Sequence, residues 1–420
     1  MMMLAMPVRY GVYASDSEEF LYNGNIYYQI NDRDEIVITR ARATVEEAHI
    51  PEEIDGMPVT EISVSAFQGK GRLKSVIVPS TVHTIGDYAF YQCKTLAEVE
   101  IPESVTYIGK KILKETPWFE SQPDGCVIAG NNIVIGFRGD SSEVIIPDGT
   151  TAIAGGAFEA CTSIMSVKIP STVREIGGLA FSGCEKLTEC VIPEGVETIG
   201  EYAFHWCSAL QKVEIADSVT SIGNHAFAWC PSLISVKLPS GINRIEIAVF
   251  SECSSLAKIQ LPSSVTEIGS LAFYGCISLK EFSVRSNVTT IGVDAFGGCS
   301  SLYKLSVYNG TCRIADSSDT IASGAVIYGF RESTAQVYAQ SYERQFVVVS
   351  YIAGDINEDG VINISDAIAV LSIYAGMGSG IIKEPSDLEQ LTGDMNKDGV
   401  LDIADATKIL EQYAEHGAGL

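Results

Sequence analysis

Long hydrophobic runs are absent from this 420-residue sequence. No apolar stretch approaches the ~18–20 residues that a membrane-spanning helix needs, so the sequence predicts no membrane span. Basic residues are scarce too: 28 Lys and Arg stand against 53 Asp and Glu, which gives a formal net charge of −25. Phosphate backbones and anionic lipids repel such a polyanion, which argues against nucleic-acid and membrane-surface roles.

Catalytic signatures are also missing. The chain has only five histidines, and it contains no G-x-S-x-G elbow, H-E-x-x-H motif or phosphate-binding glycine loop. The segments outside the repeats described below are too short for a catalytic domain. These absences favour a non-catalytic protein.

The N-terminus is short and mostly apolar. Val12-Tyr13-Ala14 fits the small-residue pattern before a signal-peptidase cut, although a basic n-region is missing and the apolar stretch is brief. We interpret residues 1–15 as the remnant of a signal peptide, with an unstructured N-terminus as the alternative.

A period of 23 residues dominates the chain, and isoleucines mark it at Ile62, Ile85, Ile108, Ile153, Ile176, Ile199, Ile222, Ile245, Ile268, Ile291 and Ile314. Ala-Phe follows four and five places after most of these isoleucines, Cys follows at the eighth place, Leu at the eleventh, and a V-x-I/L-P segment closes the copy. The V-x-I segment predicts a short strand that the proline ends. One copy cannot bury its own apolar side, so about ten copies must stack into a continuous core with a parallel sheet.

The period is interrupted between Ile108 and Ala152. This stretch holds 45 residues, one fewer than two periods, and Val144-Ile145-Ile146-Pro147 near its end matches the V-x-I-P segment. We interpret 108–152 as two degenerate repeats, one of which carries Trp118.

The 23-residue pattern resembles the BspA-like bacterial leucine-rich repeats over residues 62–313. By this resemblance, residues 16–61 form an N-terminal cap and residues 314–350 a C-terminal cap, because solenoid ends need polar faces. The fold class predicted for the whole chain is an α+β repeat protein: a leucine-rich-repeat solenoid with a parallel β-sheet, followed by a small α-helical domain at 351–420.

Eight of the 11 cysteines occupy one repeat position: Cys93, Cys161, Cys184, Cys207, Cys230, Cys253, Cys276 and Cys299. Neighbours in such a ladder are within reach of a disulfide by distance alone. The alternative, which we favour, is a small buried thiol that packs against the turn of each repeat.

Two surface features of the repeats could carry binding. Trp206 and Trp229 are one period apart, which suggests a platform for sugar rings or a protein hot spot; the alternative, which we favour, is that both fill space beside the cysteine ladder. The outward side of the strands carries mixed charges, at Ser166, Glu189, Lys212, Ser235, Lys258, Glu281 and Lys304. This face suits protein recognition but specifies no ligand.

The tail is strongly acidic, with 13 Asp and Glu against three Lys in residues 351–420. Two 12-residue segments, 355–366 (loop 1) and 394–405 (loop 2), place oxygens at positions 1, 3, 5, 7, 9 and 12, with Gly360 and Gly399 at position 6. This layout suits calcium and predicts two ions. The ligands are Asp355, Asn357, Asp359, Val361, Asn363 and Asp366 in loop 1, and Asp394, Asn396, Asp398, Val400, Asp402 and Asp405 in loop 2, with both valines binding through the carbonyl.

The loops depart from ordinary EF-hands. Ala353-Gly354 and Thr392-Gly393 precede them, from which we expect no regular entering helix, and position 12 is Asp instead of Glu. Helices are expected over 367–374 and 406–414. The duplicated loops at 352–416 resemble a type I dockerin, a module that docks onto cohesins of a scaffold protein. The resemblance places the cohesin contacts at Ile364, Ser365, Ser372, Ile373, Ile403, Ala404, Glu411 and Gln412.

We therefore predict a non-catalytic, extracellular or cell-surface protein, and the dockerin resemblance implies that it belongs to a cellulosome. Its tail would bind a cohesin and its repeats an unidentified protein or carbohydrate. The alternative is a glycoside hydrolase or another polysaccharide-degrading enzyme, which needs two carboxylates ~5–10 Å apart in a cleft. Glu189 and Glu214 could approach that spacing, but a regular solenoid face offers no cleft.

Overall fold

The computed structural model describes residues 19–351, 353–357, 361–381 and 384–417. The predicted signal-peptide remnant at 1–15 lies outside these ranges. The chain divides into two compact units, Met1–Cys207 and Ser208–Leu420. Of the helices in the described ranges, none combines the length and apolar character that crossing a bilayer takes.

The first unit consists of short strands and one turn of helix, arranged as successive solenoid coils. In chain order the elements are β1 (Phe20–Tyr22), β2 (Ile26–Ile30), β3 (Ile36–Ala41), β4 (Glu47–His49), β5 (Glu53–Ile54), β6 (Met57–Ile62), β7 (Ser75–Ile77), β8 (Thr84–Ile85), β9 (Glu98–Glu100), β10 (Tyr107–Ile108), α1 (Pro117–Glu120), β11 (Gly125–Ala129), β12 (Ile133–Arg138), β13 (Glu143–Ile145), β14 (Ala152–Ile153), β15 (Ser166–Lys168), β16 (Glu175–Ile176), β17 (Glu189–Ile192) and β18 (Thr198–Ile199).

Each regular coil of this unit contributes strands to two parallel sheets. The isoleucine strands form one row, in which Ile62 pairs with Ile85 and Ile176 with Ile199. The V-x-I strands form the other, as in β13-β15-β17 and β4-β7-β9. The chain opens differently, with an antiparallel meander β1-β2-β3 whose last strand joins the parallel row at β6. The predicted period thus sets the register of both rows.

The interruption at 108–152 contains an antiparallel hairpin, β11-β12, where we expected two degenerate repeats of parallel strands. The hairpin is still stacked onto the coils: β12 pairs in parallel with β14, and the Phe137 ring lies 5.5 Å from that of Phe158. Upstream, the amide of Trp118 donates to Leu96 O at 2.9 Å. The coils therefore continue through the interruption, but with a locally different strand direction.

The second unit continues with the same kind of coil and then becomes helical. Its elements are β19 (Lys212–Ile215), β20 (Ser221–Ile222), β21 (Ser235–Lys237), β22 (Arg244–Ile245), β23 (Glu267–Ile268), β24 (Glu281–Val284), β25 (Thr290–Ile291), β26 (Lys304–Val307), β27 (Arg313–Ile314), β28 (Val326–Gly329), α2 (Thr334–Ser341), β29 (Phe346–Val348), α3 (Ile364–Gly378), α4 (Asp387–Gly393) and α5 (Ile403–Gly417). Parallel rows β22-β23-β25-β27 and β24-β26-β28-β29 run through it.

A ladder of phenylalanines fills the interior of the coils. Every member is fully buried, and neighbouring rings stack, as for Phe158–Phe181 at 4.9 Å and Phe250–Phe273 at 5.8 Å. Burial of a phenylalanine side chain contributes roughly 1.5–3 kcal/mol, and each ring here depends on the next coil for its cover. The core is therefore a product of stacking between coils.

The turn that follows each isoleucine carries backbone strain. Residues three and seven places after the isoleucine have positive φ in most coils, for example Leu179 at 62° and Trp206 at 58°. Non-glycine residues disfavour this left-handed conformation by roughly 1–2 kcal/mol. The glycine one place after the isoleucine has another reason: a Cβ on Gly200 would lie 2.4 Å from the amide nitrogen of Gly178.

The cysteine ladder consists of free thiols, as the packing interpretation predicts. The Cys184 thiol donates to Phe158 O at 3.2 Å, and Cys276 donates to Phe250 O at the same distance. Burial raises the pKa of Cys184 to about 12. Such a bond ties the coil to the backbone of the preceding coil, and the raised pKa keeps the Cys184 thiol protonated at neutral pH.

We predict that alkylation separates the buried thiols from the two half-buried ones. In the native protein, Cys126 and Cys161 should react with iodoacetamide first, since both lie partly exposed. In denaturant without reductant, mass spectrometry should find the ladder labelled at Cys184, Cys207, Cys230, Cys253, Cys276 and Cys299. Protection of alternate rungs under those conditions would mean that disulfides bridge the coils.

Candidate functional site

The tail helices begin inside the two loops. We expected helices over 367–374 and 406–414, whereas α3 spans Ile364–Gly378 and α5 spans Ile403–Gly417. Asn363 explains the earlier start of α3, because its side chain accepts from the amide of Ser365 and thereby caps the helix. Loop positions 10 and 11, where cohesin contacts are predicted, consequently lie on the first helical turn.

Position 12 of each loop is a buried carboxylate that holds the loop backbone together. Asp405 is fully buried. Its Oδ1 accepts from the amides of Met395 at 2.8 Å and Asn396 at 3.1 Å, and its Oδ2 accepts from the amide of Asp402 at 3.0 Å. The same three bonds recur in loop 1, where Asp366 accepts from the amides of Ile356, Asn357 and Asn363. Sequence reasoning predicted a ligand here and missed this structural role.

Loop 2 has the donor chemistry of a cation site. Asp394 Oδ1 is buried and has no hydrogen-bond partner, while its Oδ2 accepts from the amide of Gly399 at 3.0 Å. An unsatisfied buried oxygen costs roughly 1–3 kcal/mol, and a bound cation would remove that cost. Asn396 and Asp398 stand beside it, linked by a bond of 2.8 Å. This set of oxygens fits a hard ion such as calcium.

Loop 1 is described in part. Asp355 is buried, and Asn357 and Asn363 lie on either side of the undescribed stretch 358–360, which contains the predicted ligand Asp359. Within the described ranges, no group of three or more His, Cys, Asp and Glu side chains is gathered as a metal cluster. The predicted ligand set also relies on Asn side chains and a main-chain carbonyl, and as a set it stays a prediction.

The expectation of no entering helix is wrong for loop 2. The helix α4 leads directly into it, with Ser386 as N-cap and a capping box closed by Glu389. Gly393 is the last residue of this helix, and a Cβ there would lie 2.5 Å from Leu401 and 2.8 Å from Ile356. The glycine that argued against a helix is therefore required by close packing between the loops.

The tail core lies between α3 and α5. Its buried members are Ile356, Ala367, Val370, Ile373, Leu401, Ala406 and Ile409. Ile373 is only 7% exposed, and this burial argues against its predicted role as a cohesin contact. In a helix, residue 373 points away from the face formed by 364, 368 and 371.

Both tail helices expose apolar side chains on their outer faces. On α3 these are Ile364, Ile368, Leu371 and Tyr374, and on α5 they are Ile403, Leu410 and Tyr413. Ser365, Ser372, Ala404 and Glu411 are exposed beside them, and Gln412 is half-buried. Sequence reasoning found the first-turn isoleucines but missed the residues one and two turns later. Their spacing of three and four places was the available signal.

The two predicted platform residues of the repeats are surface residues. Trp206 is 57% exposed in the first unit and Trp229 is 50% exposed in the second. This exposure contradicts the interpretation that both rings fill space beside the cysteine ladder. In the first unit, the His205 ring stacks on Trp206 at 5.3 Å.

The outward strand positions carry ion pairs instead of a catalytic pair. Glu214 forms an ion pair with Lys212, and its hydrogen bond to that lysine lowers the pKa of the Glu214 carboxyl. Glu281 and Lys304 are register partners on β24 and β26. A general acid of a glycosidase needs a raised pKa, so Glu214 has the wrong environment for that role.

Two family models match the chain. The first is described as BspA type leucine rich repeat region, with six copies over residues 59–121, 137–246 and 220–318. The second is described as dockerin type I domain and matches residues 353–413. Among curated proteins, a search finds no match.

Several solved bacterial structures are similar to the chain. A leucine-rich cell surface protein from Faecalibacterium prausnitzii is 26% identical, with 73% of this chain and 97% of that chain covered and a TM-score of 0.30. A leucine-rich repeat protein from Bacteroides ovatus is 22% identical, with 79% and 100% covered and a TM-score of 0.34. One from Eubacterium ventriosum is 20% identical, with 68% and 96% covered and a TM-score of 0.42.

Removal of calcium should unfold the tail helices in the intact protein. The tail helices span 15, 7 and 15 residues, whereas α1 and α2 span 4 and 8, so most helical signal reports on the tail. Without metal, loop carboxylates repel each other around a small core. EDTA should therefore remove most of the circular dichroism at 222 nm, and excess calcium should restore it. A helical signal that EDTA leaves unchanged would contradict the prediction.

Loss of the position-12 carboxylate should destabilise the tail more than loss of another loop acid. Asp405→Ala leaves three part-buried amides without their acceptor, and a buried donor without a partner costs roughly 1–3 kcal/mol. Asp398→Ala removes a predicted ligand that is exposed. In calcium-free buffer with an osmolyte that keeps the tail folded, thermal melts at 222 nm should show the larger loss for Asp405→Ala. Equal losses would mean that Asp405 acts only as a ligand.

Proposed function

Because the chain belongs to the BspA-type leucine-rich repeat family and carries a type I dockerin domain, we propose that it is a non-catalytic extracellular adaptor. The dockerin would attach it to a cohesin of a scaffold protein, and the repeats would bind a second partner. The observation that carries this proposal is the pair of exposed apolar faces on α3 and α5. A soluble domain of this size has no folding reason to expose so many large apolar side chains on two helices.

Calcium would prepare those faces for binding. The loop oxygens from Asp355 to Asp366 and from Asp394 to Asp405 would hold two ions, and each ion would supply the positive charge that the acidic tail lacks. The contribution of the chain itself is to position the first turns of α3 and α5. The position-12 carboxylates bind the loop backbone, and the loops set where the first turns of α3 and α5 begin. Ile364 and Ile403 therefore depend on loop geometry for their place on the surface.

We propose a docking mode centred on α3. Its face has Ile368, 57% exposed, where α5 has Thr407, and Ser372 where α5 has Glu411. An unpaired carboxylate that becomes buried costs several kcal/mol. Glu411 therefore disfavours burial of the α5 face under a cohesin, and α5 would lie mostly at the rim. The contacts would be Ile364, Ser365 and Ser372 with the newly identified Ile368 and Leu371.

The repeats would supply the second binding function. We propose that residues 62–313 form the binding body between caps at 16–61 and 314–350, with a protein or carbohydrate as ligand. Dockerins and BspA-like repeats are typical of extracellular or cell-surface proteins, which supports a place in a cellulosome. Attachment of a binding body to a scaffold raises the local concentration of its ligand near other scaffold components.

The enzyme alternative has no supporting observation in the repeats. Glu214 is ion-paired, and neither matched family is a catalytic domain. Assays of the purified protein on polysaccharides test this alternative directly. Release of reducing sugar by the wild type, and its loss in Glu189→Gln or Glu214→Gln, would replace the adaptor proposal.

Two single substitutions test the docking mode. Ile364→Asp should weaken cohesin binding about 100-fold, because it places a carboxylate at the centre of the proposed interface. Ile403→Asp should weaken it by less than about tenfold. Ile381→Asp is the matched control, since Ile381 is exposed but lies off both helix faces. The measurement is calorimetry with calcium and a type I cohesin.

The opposite pattern would identify a dual mode. If each single substitution is nearly harmless and only the double variant fails, the two faces are interchangeable and the α3-centred mode is wrong. If none of the variants or the wild type binds any cohesin, the adaptor proposal itself fails.

A further inference from the structure

Two tryptophans occupy a position where the fold disfavours them twice. Trp206 and Trp229 lie seven places after their isoleucines and have φ of 58° and 59°. Four other coils place glycine at this position: Gly69, Gly183, Gly275 and Gly298. A left-handed backbone disfavours bulky residues, and exposure of an indole forgoes its hydrophobic burial. The strain and the exposure together call for a reason outside folding.

The core does not supply that reason. In the same coil as Trp206, Phe204 and Cys207 are fully buried and complete the two ladders. The pattern repeats in the second unit with Phe227, Cys230 and the exposed Trp229. In both coils, the buried phenylalanine and the buried cysteine therefore complete the core without the tryptophan.

The local geometry in the first unit holds the indole in place and leaves it accessible. The His205 ring lies nearly parallel to that of Trp206, at 5.3 Å and 13°, and the Tyr202 ring meets His205 edge-on at 5.2 Å. In the two preceding coils, the Trp206 position is taken by Gly183 and Ala160. These two coils therefore place nothing larger than a methyl group at this position, and the indole of Trp206 projects beyond their surface.

We propose that the surface of Tyr202, His205 and Trp206 in the first unit binds a neutral polysaccharide, and that Trp229 in the second unit offers a separate contact of the same kind. The inference rests on the proposed function, because it names the ligand class of the repeats. A pyranose ring presents an apolar C–H face that stacks on an indole, while its hydroxyls stay in water or bond to polar neighbours. An exposed aromatic ridge beside glycine and alanine suits such a flat ligand.

Two observations favour a neutral glycan over other partners. Protein hot spots are ringed by neighbouring contacts that exclude water, whereas the two coils before Trp206 place only glycine and alanine at this position. The net charge of −25 repels anionic polymers, so acidic polysaccharides are disfavoured. A neutral chain of sugar rings needs no water-excluding surroundings and is not repelled by the negative charge.

Affinity electrophoresis of the intact, calcium-loaded protein tests the inference. Native gels contain hydroxyethyl cellulose or xylan as neutral probes, and carboxymethyl cellulose as the anionic counterpart. We expect retardation by at least one neutral probe and less by the anionic one. Trp206→Gly and Trp229→Gly should each weaken binding about tenfold and the double variant should abolish it. The two single variants should keep or raise the melting temperature, because glycine relieves the backbone strain at these positions.

Ala160→Gly is the matched control, since it relieves the same backbone strain at φ 58° without loss of an aromatic ring. It should leave retardation unchanged. A second readout is acrylamide quenching of tryptophan fluorescence, which the bound probe should reduce in the wild type.

The outcomes separate this inference from the adaptor proposal. Absence of retardation by every neutral probe, or retardation that both glycine variants retain, overturns the glycan site. Stronger retardation by carboxymethyl cellulose overturns the assignment of a neutral ligand. Cohesin binding is measured on the same samples: its loss in the wild type would refute the adaptor and leave the glycan result standing.

Discussion

Stacking of one coil on the next is the interaction on which the repeat fold depends. A coil of 23 residues has an apolar side but no second layer of its own to cover it. Phe181 is buried because Phe158 and Phe204 lie against it, at 4.9 and 5.1 Å. The isoleucine pairs, the thiol-to-carbonyl bonds and the glycine at 200 all follow from the same close approach. Each is a condition for neighbouring backbones to sit in register.

Stacking constrains only the inward positions of a coil, so the other positions can vary. Inward positions are dictated by the neighbours, whereas the left-handed turn and the outward strand positions face solvent. Glycine at these turns relieves strain, so a tryptophan there is explained by binding better than by folding. Lys212 and Glu214 illustrate the other case, in which an exposed ion pair contributes little to stability and only shapes the surface charge.

The tail follows a different physical rule. Among the residues that the structure describes, its core has seven buried apolar members, and its loops concentrate carboxylates that repel each other. Backbone amides neutralise part of this charge at Asp366 and Asp405, and a cation in each loop would neutralise the rest. Stability and recognition are thus coupled, because the same loops position the apolar faces of α3 and α5.

Features that recur along the chain were predictable before the fold was known. A strict period places the same residue type in the same environment, so the isoleucine rows, the cysteine ladder and the duplicated loops could be predicted without coordinates. Prediction failed where the environment is not periodic: the antiparallel hairpin at 125–138, the helix α4, and the burial of Ile373.

In those places the role of a single residue depends on its contacts with distant parts of the chain. Position 393 leaves no room for a side chain because Leu401 and Ile356 pack against it, and Ile373 is buried because α5 covers that side of α3. The type of a residue indicates which environment would suit it. The neighbours that create that environment, however, come from a distant part of the chain. For that reason the two loops could be predicted from the sequence, whereas the apolar faces of α3 and α5 could be identified only once the fold was known.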